Sequence, residues 1–282
     1  MIKLFVADVD GTLVNEYSEF ETETIEAIKR FQKLGGTFMV ATGRNPWELS
    51  EITCEVEDVV LNCVNGAVLV QNGKTIFSEY LGADQVRLAQ KLCDKYDTPV
   101  EFHGEQGTYT CWDKKRFYQR AYPVFQRSFR EDPKDVFAWI YEKKEMYFDK
   151  TLEQIPIGRI AKIEVLFMKE EIKDELLREV KEAFFDANIV ALDMMANIEI
   201  TSACANKAKA ISRYCEVMGI EEDEVVTIGD SGNDIPMLQH FKNSYAMGNA
   251  DEATKKAAAH IALSNREKGV ARLLESICDQ MA

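Results

Sequence analysis

Acidic residues cluster in two short stretches of the chain that could carry out chemistry. The first is Asp8-Val9-Asp10-Gly11-Thr12-Leu13, and the second is Gly229-Asp230-Ser231-Gly232-Asn233-Asp234. Carboxylate oxygens are suited to a hard divalent cation, and magnesium is the usual choice. A carboxylate beside such a cation can also attack phosphorus as a nucleophile. The residue types therefore indicate phosphoryl transfer.

Further polar residues could complete such a site. Thr42, Gly43 and Arg44 follow another apolar stretch, and Lys207 lies near the predicted start of a late helix. A hydroxyl and an ammonium group can bind phosphoryl oxygens and offset the charge that spreads over them. Gly11 allows the backbone to turn sharply beside a phosphate. Arg44 either reaches the substrate or pairs with a carboxylate, and both alternatives stay open.

These residues predict a specific division of labour. Asp8 attacks phosphorus and forms an aspartyl-phosphate. Asp10 protonates the leaving alkoxide and later activates water. Asp8, Asp230 and a backbone carbonyl near Asp10 could hold Mg²⁺. Thr42 and Lys207 bind the phosphoryl oxygens.

Apolar strands must position these residues. Residues 2–8, 37–41 and 225–228 are short, largely apolar runs, typical of strands buried on both faces of a parallel sheet. A helical pattern over residues 22–34 joins the first two strands into a βαβ unit. Ligands of such sheets bind beyond the carboxyl ends of the strands. The polar residues after each strand are therefore expected to meet at one edge.

The middle of the chain has a different character, richer in aromatic and charged residues. Helical and strand-like segments alternate there: Gln85–Tyr96, Thr108–Trp112, Ala161–Met168 and Lys173–Phe185. This pattern indicates a separate α+β domain over residues 83–191, inserted into an α/β core formed by residues 1–82 and 192–282. The predicted core is a Rossmann-like parallel sheet with helices on both faces.

Composition limits the classes of partner. The chain of 282 residues has 34 Lys and Arg against 48 Asp and Glu, a formal net charge of -14. An acidic surface repels nucleic acid and anionic membranes, so neither is expected as a partner. The seven Cys are scattered without zinc-site or disulfide spacing, which fits a reducing compartment. With neither a signal peptide nor a membrane helix recognisable, a cytoplasmic location is expected, and the oligomeric state is not predicted.

Other conspicuous residues are expected to be structural. His103, His240 and His260 are dispersed, so a histidine-centred site is not predicted. Large aromatic residues are assigned to packing, and a charged run to a solvated helix face: Trp47, Trp112, Phe129, Phe137 and Trp139, and Glu142-Lys143-Lys144-Glu145.

The polar motifs, taken together and in order, resemble those of the haloacid dehalogenase superfamily. Asp8 to Leu13 matches its D-x-D-G-T-L signature, Thr42 its second motif, Lys207 its third, and Gly229 to Asp234 its G-D-x-x-N-D motif. The chain more narrowly resembles the Cof-type hydrolases through Asn65-Gly66-Ala67, Met247-Gly248-Asn249-Ala250, and Ser264-Asn265 followed by Gly269-Val270-Ala271. One departure is Lys207-Ala208, where many relatives have Lys-Gly.

The resemblance implies a role for each motif residue. Asp8 would be nucleophile and magnesium ligand, Asp10 general acid/base and a ligand through its carbonyl, and Asp230 the third protein ligand. Asp234 would orient the site without touching the metal, and Asn233 would lie near the phosphate or the metal. The inserted domain occupies the position of the type 2 cap of that subfamily.

The expected function is hydrolysis of small phosphorylated metabolites, such as sugar phosphates, by a magnesium-dependent phosphatase. One alternative is a phosphomutase on the same scaffold. Such an enzyme usually carries a smaller cap after the first motif, and the short segment between Asp10 and Thr42 leaves little room for one. Another is a non-catalytic binding protein that has kept the fold. The sequence does not identify the substrate, and candidates run from hexose phosphates to nucleotides, flavin mononucleotide and pyridoxal phosphate.

Overall fold

The structure is a computed structural model that describes residues 1–15, 19–128, 145–166, 170–192 and 197–282. These residues form two compact units. The first consists of Met1–Ser78 and Ala205–Ala282, and the second of Glu79–Cys204. No described helix has the length and apolar character needed to cross a bilayer.

The first unit is built on an eight-stranded sheet. Its strands are β1 (Leu4–Ala7), β2 (Thr37–Ala41), β3 (Val60–Cys63), β4 (Val68–Gln71), β5 (Lys74–Ser78), β12 (Val225–Gly229), β13 (Asn243–Ala246) and β14 (His260–Ile261). They lie in the order β14-β13-β12-β1-β2-β3-β4-β5. The strands from β14 to β3 are parallel, and β4 and β5 add an antiparallel hairpin at one edge.

Helices cover both faces of this sheet. They are α1 (Thr22–Lys33), α2 (Ser50–Glu55), α6 (Lys207–Met218), α7 (Ile235–His240), α8 (Glu252–Ala257) and α9 (Gly269–Met281). On one face Phe31 of α1 meets the ring of Phe5 edge-on at 6.2 Å. Phe5 also stacks on Phe38 of β2 with 6.0 Å between ring centroids.

On the opposite face, Leu4, Val6 and Met39 form one buried cluster with Ile211 and Tyr214 of α6. Each buried side chain of this size contributes about 1.5–3 kcal/mol of transfer free energy. Apolar residues that alternate between two covered faces explain why β1 and β2 are apolar throughout. The predicted α/β core with helices on both faces is confirmed.

The second unit has a six-stranded sheet of its own. Its strands are β6 (Val100–Gly104), β7 (Gly107–Tyr109), β8 (Met146–Tyr147), β9 (Ile160–Leu166), β10 (Ala187–Leu192) and β11 (Asn197–Ser202), in the order β10-β11-β9-β6-β7-β8. Neighbouring strands are antiparallel except β7 and β8. Its helices are α3 (Ala83–Tyr96), α4 (Lys114–Ser128) and α5 (Glu170–Ala183).

Side chains alternate in character along the strands of the second sheet. Phe102 belongs to the apolar core of this unit, whereas the neighbouring Glu101 and His103 are buried polar residues. The Nε2 atom of His103 lies 3.4 Å from Glu164 Oε2, and Lys162 Nζ lies 2.6 Å from Glu164 Oε1. These residues form a buried group of polar contacts within the sheet.

The limits of the second unit differ from the predicted range of 83–191. Residues 197–202 form β11, which pairs with both β9 and β10. At the other end, the amide of Leu81 donates to the carbonyl of Ile160 at 2.8 Å. Both segments therefore belong to the second unit because of pairing with residues distant in sequence.

Several predicted features can be placed in this structure. The strand predicted over 108–112 corresponds to β7, which ends earlier, at Tyr109, and Trp112 is buried after it. All seven Cys are free thiols. Phe129, Phe137 and Trp139, together with Glu142-Lys143-Lys144, lie outside the described residues, as do the last two residues of the strand predicted over 161–168.

Candidate active site

The first motif begins where β1 ends. The amide of Asp8 donates to the carbonyl of Ile228 in β12 at 3.0 Å, and the residue is 4% exposed. The chain then turns at Gly11, whose φ is +79°. A Cβ atom at Gly11 would lie 2.3 Å from Asp230 Oδ2. Glycine is therefore required both for the turn and for the close approach of Asp230.

Lys207 joins the first and last motifs. Its Nζ atom lies 2.8 Å from Asp8 Oδ1 and 2.7 Å from Asp234 Oδ1. The side chain of Lys207 is fully buried. Burial alone lowers the pKa of Lys207, but the carboxylates of Asp234 and Asp8 outweigh this effect, and the pKa is raised. Lys207 is therefore held as an ammonium ion between the two carboxylates.

Asp234 organises the loop that follows β12. Its Oδ2 atom accepts hydrogen bonds from the amides of Asp230 and Ser231 at 3.0 and 3.1 Å. Its other oxygen accepts from Lys207. Both oxygens of this buried carboxylate are thus engaged, which suits a residue that orients the site rather than one that binds a metal directly.

Three carboxylates come close enough together to hold a cation. One oxygen each from Asp8, Asp230 and Asp234 lie within 4.8 Å of one another. Thr12 Oγ1 donates to Asp230 Oδ1 at 2.8 Å. Since Asp234 is occupied by its other partners, Asp8 and Asp230 are the carboxylates suited to direct contact with a metal.

The electrostatics of these groups fit a divalent cation. Burial, followed by the nearby Asp234 charge, raises the pKa of Asp8 well above its ordinary value, although Lys207 opposes this shift. Burial also raises the pKa of Asp230 to about 6. Both shifts mean that two ionised carboxylates are costly here without further positive charge. A hard cation with oxygen ligands would supply that charge.

Asp10 and Arg44 form an ion pair at the surface. The Nε and Nη2 atoms of Arg44 donate to the two carboxylate oxygens of Asp10, the first at 2.9 Å. The side chain of Asp10 is 57% exposed, whereas that of Arg44 is 23% exposed. Of the two alternatives for Arg44, pairing with a carboxylate is the one that this structure contains.

Thr42 and Gly43 lie beside β3. The amide of Thr42 donates to the carbonyl of Asn62 at 2.8 Å, and its carbonyl accepts from the amide of Asn65 at 2.9 Å. The Oγ1 atom of Thr42 accepts from the amide of Arg44 at 3.1 Å. These bonds hold the loop after β2 at the carboxyl ends of the strands.

Asparagine side chains support the turn after β1, a contribution that was not predicted. Asn249 Nδ2 donates to the carbonyl of Gly11 at 2.8 Å, and Asn265 Nδ2 donates to the carbonyl of Val14 at 3.2 Å. The amide of Asn265 also donates to Asn249 Oδ1 at 3.0 Å. Both residues lie in segments that resemble the Cof-type hydrolases, and that resemblance is the sequence signal that could have identified them.

The sequence comparisons find one matching family model and relatives that are named as phosphatases. A family model described as haloacid dehalogenase-like hydrolase matches residues 5–274. The 5-amino-6-(5-phospho-D-ribitylamino)uracil phosphatase YbjI of Escherichia coli (strain K12) is 26% identical over 285 residues, covering 98% of this chain and 96% of that protein. Phosphatase YwpJ of Bacillus subtilis (strain 168) is 26% identical over 292 residues, covering 98% of this chain and 100% of that protein.

A solved structure has the same fold. It is a haloacid dehalogenase-like hydrolase from Bacteroides thetaiotaomicron, with a TM-score of 0.81 and 22% sequence identity. The match covers 98% of this chain and 100% of that one. The likeness therefore extends over both compact units.

Proposed function

Because this chain belongs to the haloacid dehalogenase-like hydrolase family, we propose that it hydrolyses small phosphorylated metabolites through an aspartyl-phosphate on Asp8, with Mg²⁺ as cofactor. The predicted family and enzyme class, a phosphatase, are confirmed. The observation that best supports an aspartyl-phosphate mechanism on Asp8 is the position of Lys207 Nζ, 2.8 Å from Asp8 and 2.7 Å from Asp234. It places a buried ammonium at the carboxylate assigned to attack.

The metal ligands in this proposal are Asp8, Asp230 and a backbone carbonyl near Asp10. When bound, Mg²⁺ supplies positive charge that lowers the repulsion between an anionic nucleophile and an anionic phosphate. Asp234 keeps Asp230 in place through the bond from the Asp230 amide. The hydroxyl of Thr12 orients the Asp230 carboxylate.

The nucleophilic atom is assigned from the contacts of Asp8. Lys207 holds Oδ1, so Oδ2 is the oxygen that we assign to the attack on phosphorus. The Oδ2–P bond forms as the ester P–O bond breaks, and the leaving alkoxide takes a proton from the Asp10 carboxyl. Water then attacks phosphorus and gives its proton to Asp10. The Asp8–phosphate bond breaks and inorganic phosphate is released.

The phosphoryl oxygens are assigned to groups from three loops. Thr42 and Gly43 after β2, Lys207 at the start of α6 and Asn233 after β12 offer donors to them. Arg44 is included because its guanidinium, which now holds Asp10, could instead bind the substrate phosphate. Such an exchange would also free Asp10 to carry the proton that the leaving group needs.

Two alternatives to the phosphatase remain. One is a phosphomutase, which belongs to another enzyme class, and the other is a binding protein without catalytic activity. The position of the second unit favours the phosphatase, because it interrupts the chain after Ser78 rather than between Asp10 and Thr42. We also propose that this unit, Glu79–Cys204, is the cap that selects the substrate.

Phosphate release from a panel of monoesters tests the proposal. With Mg²⁺ the protein is expected to hydrolyse p-nitrophenyl phosphate, and EDTA should abolish the activity until Mg²⁺ is restored. The panel includes the substrate named for the Escherichia coli relative, hexose phosphates, flavin mononucleotide and pyridoxal phosphate. Exchanging residues 79–204 with the matching part of that relative should transfer the ranking of substrates.

Three outcomes would contradict the proposal. A folded protein that releases phosphate from no member of the panel would exclude the hydrolytic role. Transfer of phosphate between sugar carbons without net release would instead support the phosphomutase. Full activity after exhaustive removal of divalent cations would refute the assignment of Mg²⁺.

Changing Asp10 to Asn is expected to slow turnover by about 10²–10⁴-fold, because the variant cannot donate or accept the proton. Mg²⁺ affinity should change little, since the proposed metal contact of residue 10 is its backbone carbonyl. Isothermal titration calorimetry of wild type and Asp10→Asn checks this division of effects. Greatly weakened metal binding in the variant would show that the side chain itself is a ligand.

A further inference from the structure

The turn after β3, formed by Val64, Asn65 and Gly66, has an unusual backbone. Their φ angles are +53°, +54° and +99°. Glycine adopts such angles freely and asparagine tolerates them, but a β-branched residue does so only under strain. Strain of this kind persists where the surroundings hold the backbone in place, and it clusters at functional sites.

Backbone hydrogen bonds fix this turn to the loop after β2. The amide of Val64 donates to the carbonyl of Arg44 at 3.0 Å. The amide of Asn65 donates to the carbonyl of Thr42 at 2.9 Å. The turn thus sets the path of the backbone that carries the Thr42 hydroxyl.

The same turn also packs closely against the start of α6. A Cβ atom at Gly66 would lie 2.3 Å from the carbonyl oxygen of Asn206, the residue that caps this helix. Two residues before the turn, Asn62 Nδ2 donates to the carbonyl of Lys207 at 3.1 Å. The position of Lys207 is therefore tied to β3 and its turn.

The side chain of Asn65 makes the third connection. Its Oδ1 atom accepts a hydrogen bond from Asn233 Nδ2 at 3.0 Å. A Cβ atom at Gly43 would lie 3.4 Å from Asn65 Oδ1 and 3.5 Å from its Nδ2. The amide of Asn65 consequently lies between the loop after β2 and the loop after β12.

We propose that Asn65 is a positioning residue for phosphoryl transfer, holding the Thr42–Gly43 loop and the Asn233 loop at the spacing that the substrate phosphate requires. The inference rests on the proposed function, because it assumes that these loops bind the phosphoryl group. Asparagine suits the position since it accepts a left-handed backbone and supplies a side-chain acceptor. Small displacements of such groups cost large factors in rate.

The test compares Asn65→Gly with a matched control, Asn72→Gly. Asn72 has a φ of +50° and is exposed in the turn between β4 and β5. Both substitutions keep a permitted backbone and give the unfolded chain the same extra freedom. With Mg²⁺ and p-nitrophenyl phosphate, Asn65→Gly should lower kcat/KM about tenfold or more, and Asn72→Gly should leave it within about twofold of wild type.

Inhibition by inorganic phosphate gives a second readout. The inhibition constant should rise in Asn65→Gly and stay at the wild-type value in Asn72→Gly, an effect that a general loss of stability would not produce. Asn233→Ala alone and combined with Asn65→Gly completes a double-mutant cycle. If Asn65 acts through Asn233, the double variant should be little worse than the poorer single variant.

Equal kcat/KM in the two glycine variants, or losses that multiply fully in the double variant, would overturn the role of Asn65. Failure of the wild type to release phosphate would instead contradict the proposed function. In that case, the shift in Tm produced by inorganic phosphate with Mg²⁺ still decides the inference. A shift that is smaller in Asn65→Gly than in Asn72→Gly supports it, and equal shifts refute it.

Discussion

Asp8→Asn is expected to reduce phosphate release by at least about 10⁴-fold, because the amide cannot attack phosphorus and the other groups of the site act only together with it. Initial rates with p-nitrophenyl phosphate at saturating Mg²⁺ measure the loss. The matched control is Asp251→Asn, since Asp251 caps α8 at an exposed position and asparagine caps a helix equally well. The control should keep wild-type activity.

In the absence of metal, Asp8→Asn should be at least as stable as the wild type. Burial raises the pKa of Asp8, so the folded protein disfavours the ionised carboxylate, and at neutral pH that charge destabilises the fold. A neutral asparagine removes this cost, while Lys207 keeps Asp234 as its partner. Urea unfolding in EDTA checks the sign. A variant that is inactive because it unfolds would leave the role of Asp8 without support.

Among the variants proposed for this protein, Lys207→Met is expected to lose the most stability. Its free energy of unfolding should fall by about 3–5 kcal/mol. The ammonium is fully buried between Asp8 and Asp234. Its removal leaves two carboxylates of like charge in a buried site without their partner. Activity should also fall by about 10²–10³-fold, as when one donor to a developing oxyanion is removed.

A nearby lysine provides the control for this change. Lys209 lies on the same helix and is exposed, so Lys209→Met should change stability by less than about 0.5 kcal/mol. Adding Asp8→Asn to Lys207→Met removes one of the two unpaired charges and should restore part of the lost stability. Urea unfolding of the four proteins measures both effects. Equal stability of Lys207→Met and Lys209→Met would contradict the buried ion pairs.

Much of the fold could be predicted from the sequence because the local hydrophobic pattern agrees with the tertiary structure. The largely apolar runs predicted over residues 2–8, 37–41 and 225–228 correspond to the adjacent parallel strands β1, β2 and β12. Strands covered on both faces need such runs, and the polar residues that follow them had to end at one edge. The close approach of Asp8, Asp230 and Asp234 follows from that topology.

Other features depend on contacts between residues that are distant in the chain, and a single sequence does not reveal such contacts. The limits of the second unit depend on the pairing of β11 with β9, between residues such as Asn197 and Leu166. Arg44 has suitable chemistry for two partners, and only geometry shows it on Asp10. The backbone of Val64 is left-handed against its own preference, so propensity could not reveal the turn that presents Asn65.

Chemical trapping of the intermediate tests directly whether Asp8 is the nucleophile. The enzyme is mixed with a rapidly hydrolysed monoester and Mg²⁺, quenched with acid during turnover and reduced with borohydride, which converts an aspartyl-phosphate to homoserine. Peptide mass spectrometry should find homoserine at position 8, and only when substrate and Mg²⁺ are both present. An unmodified Asp8 during active turnover, or homoserine at another aspartate, would contradict the mechanism.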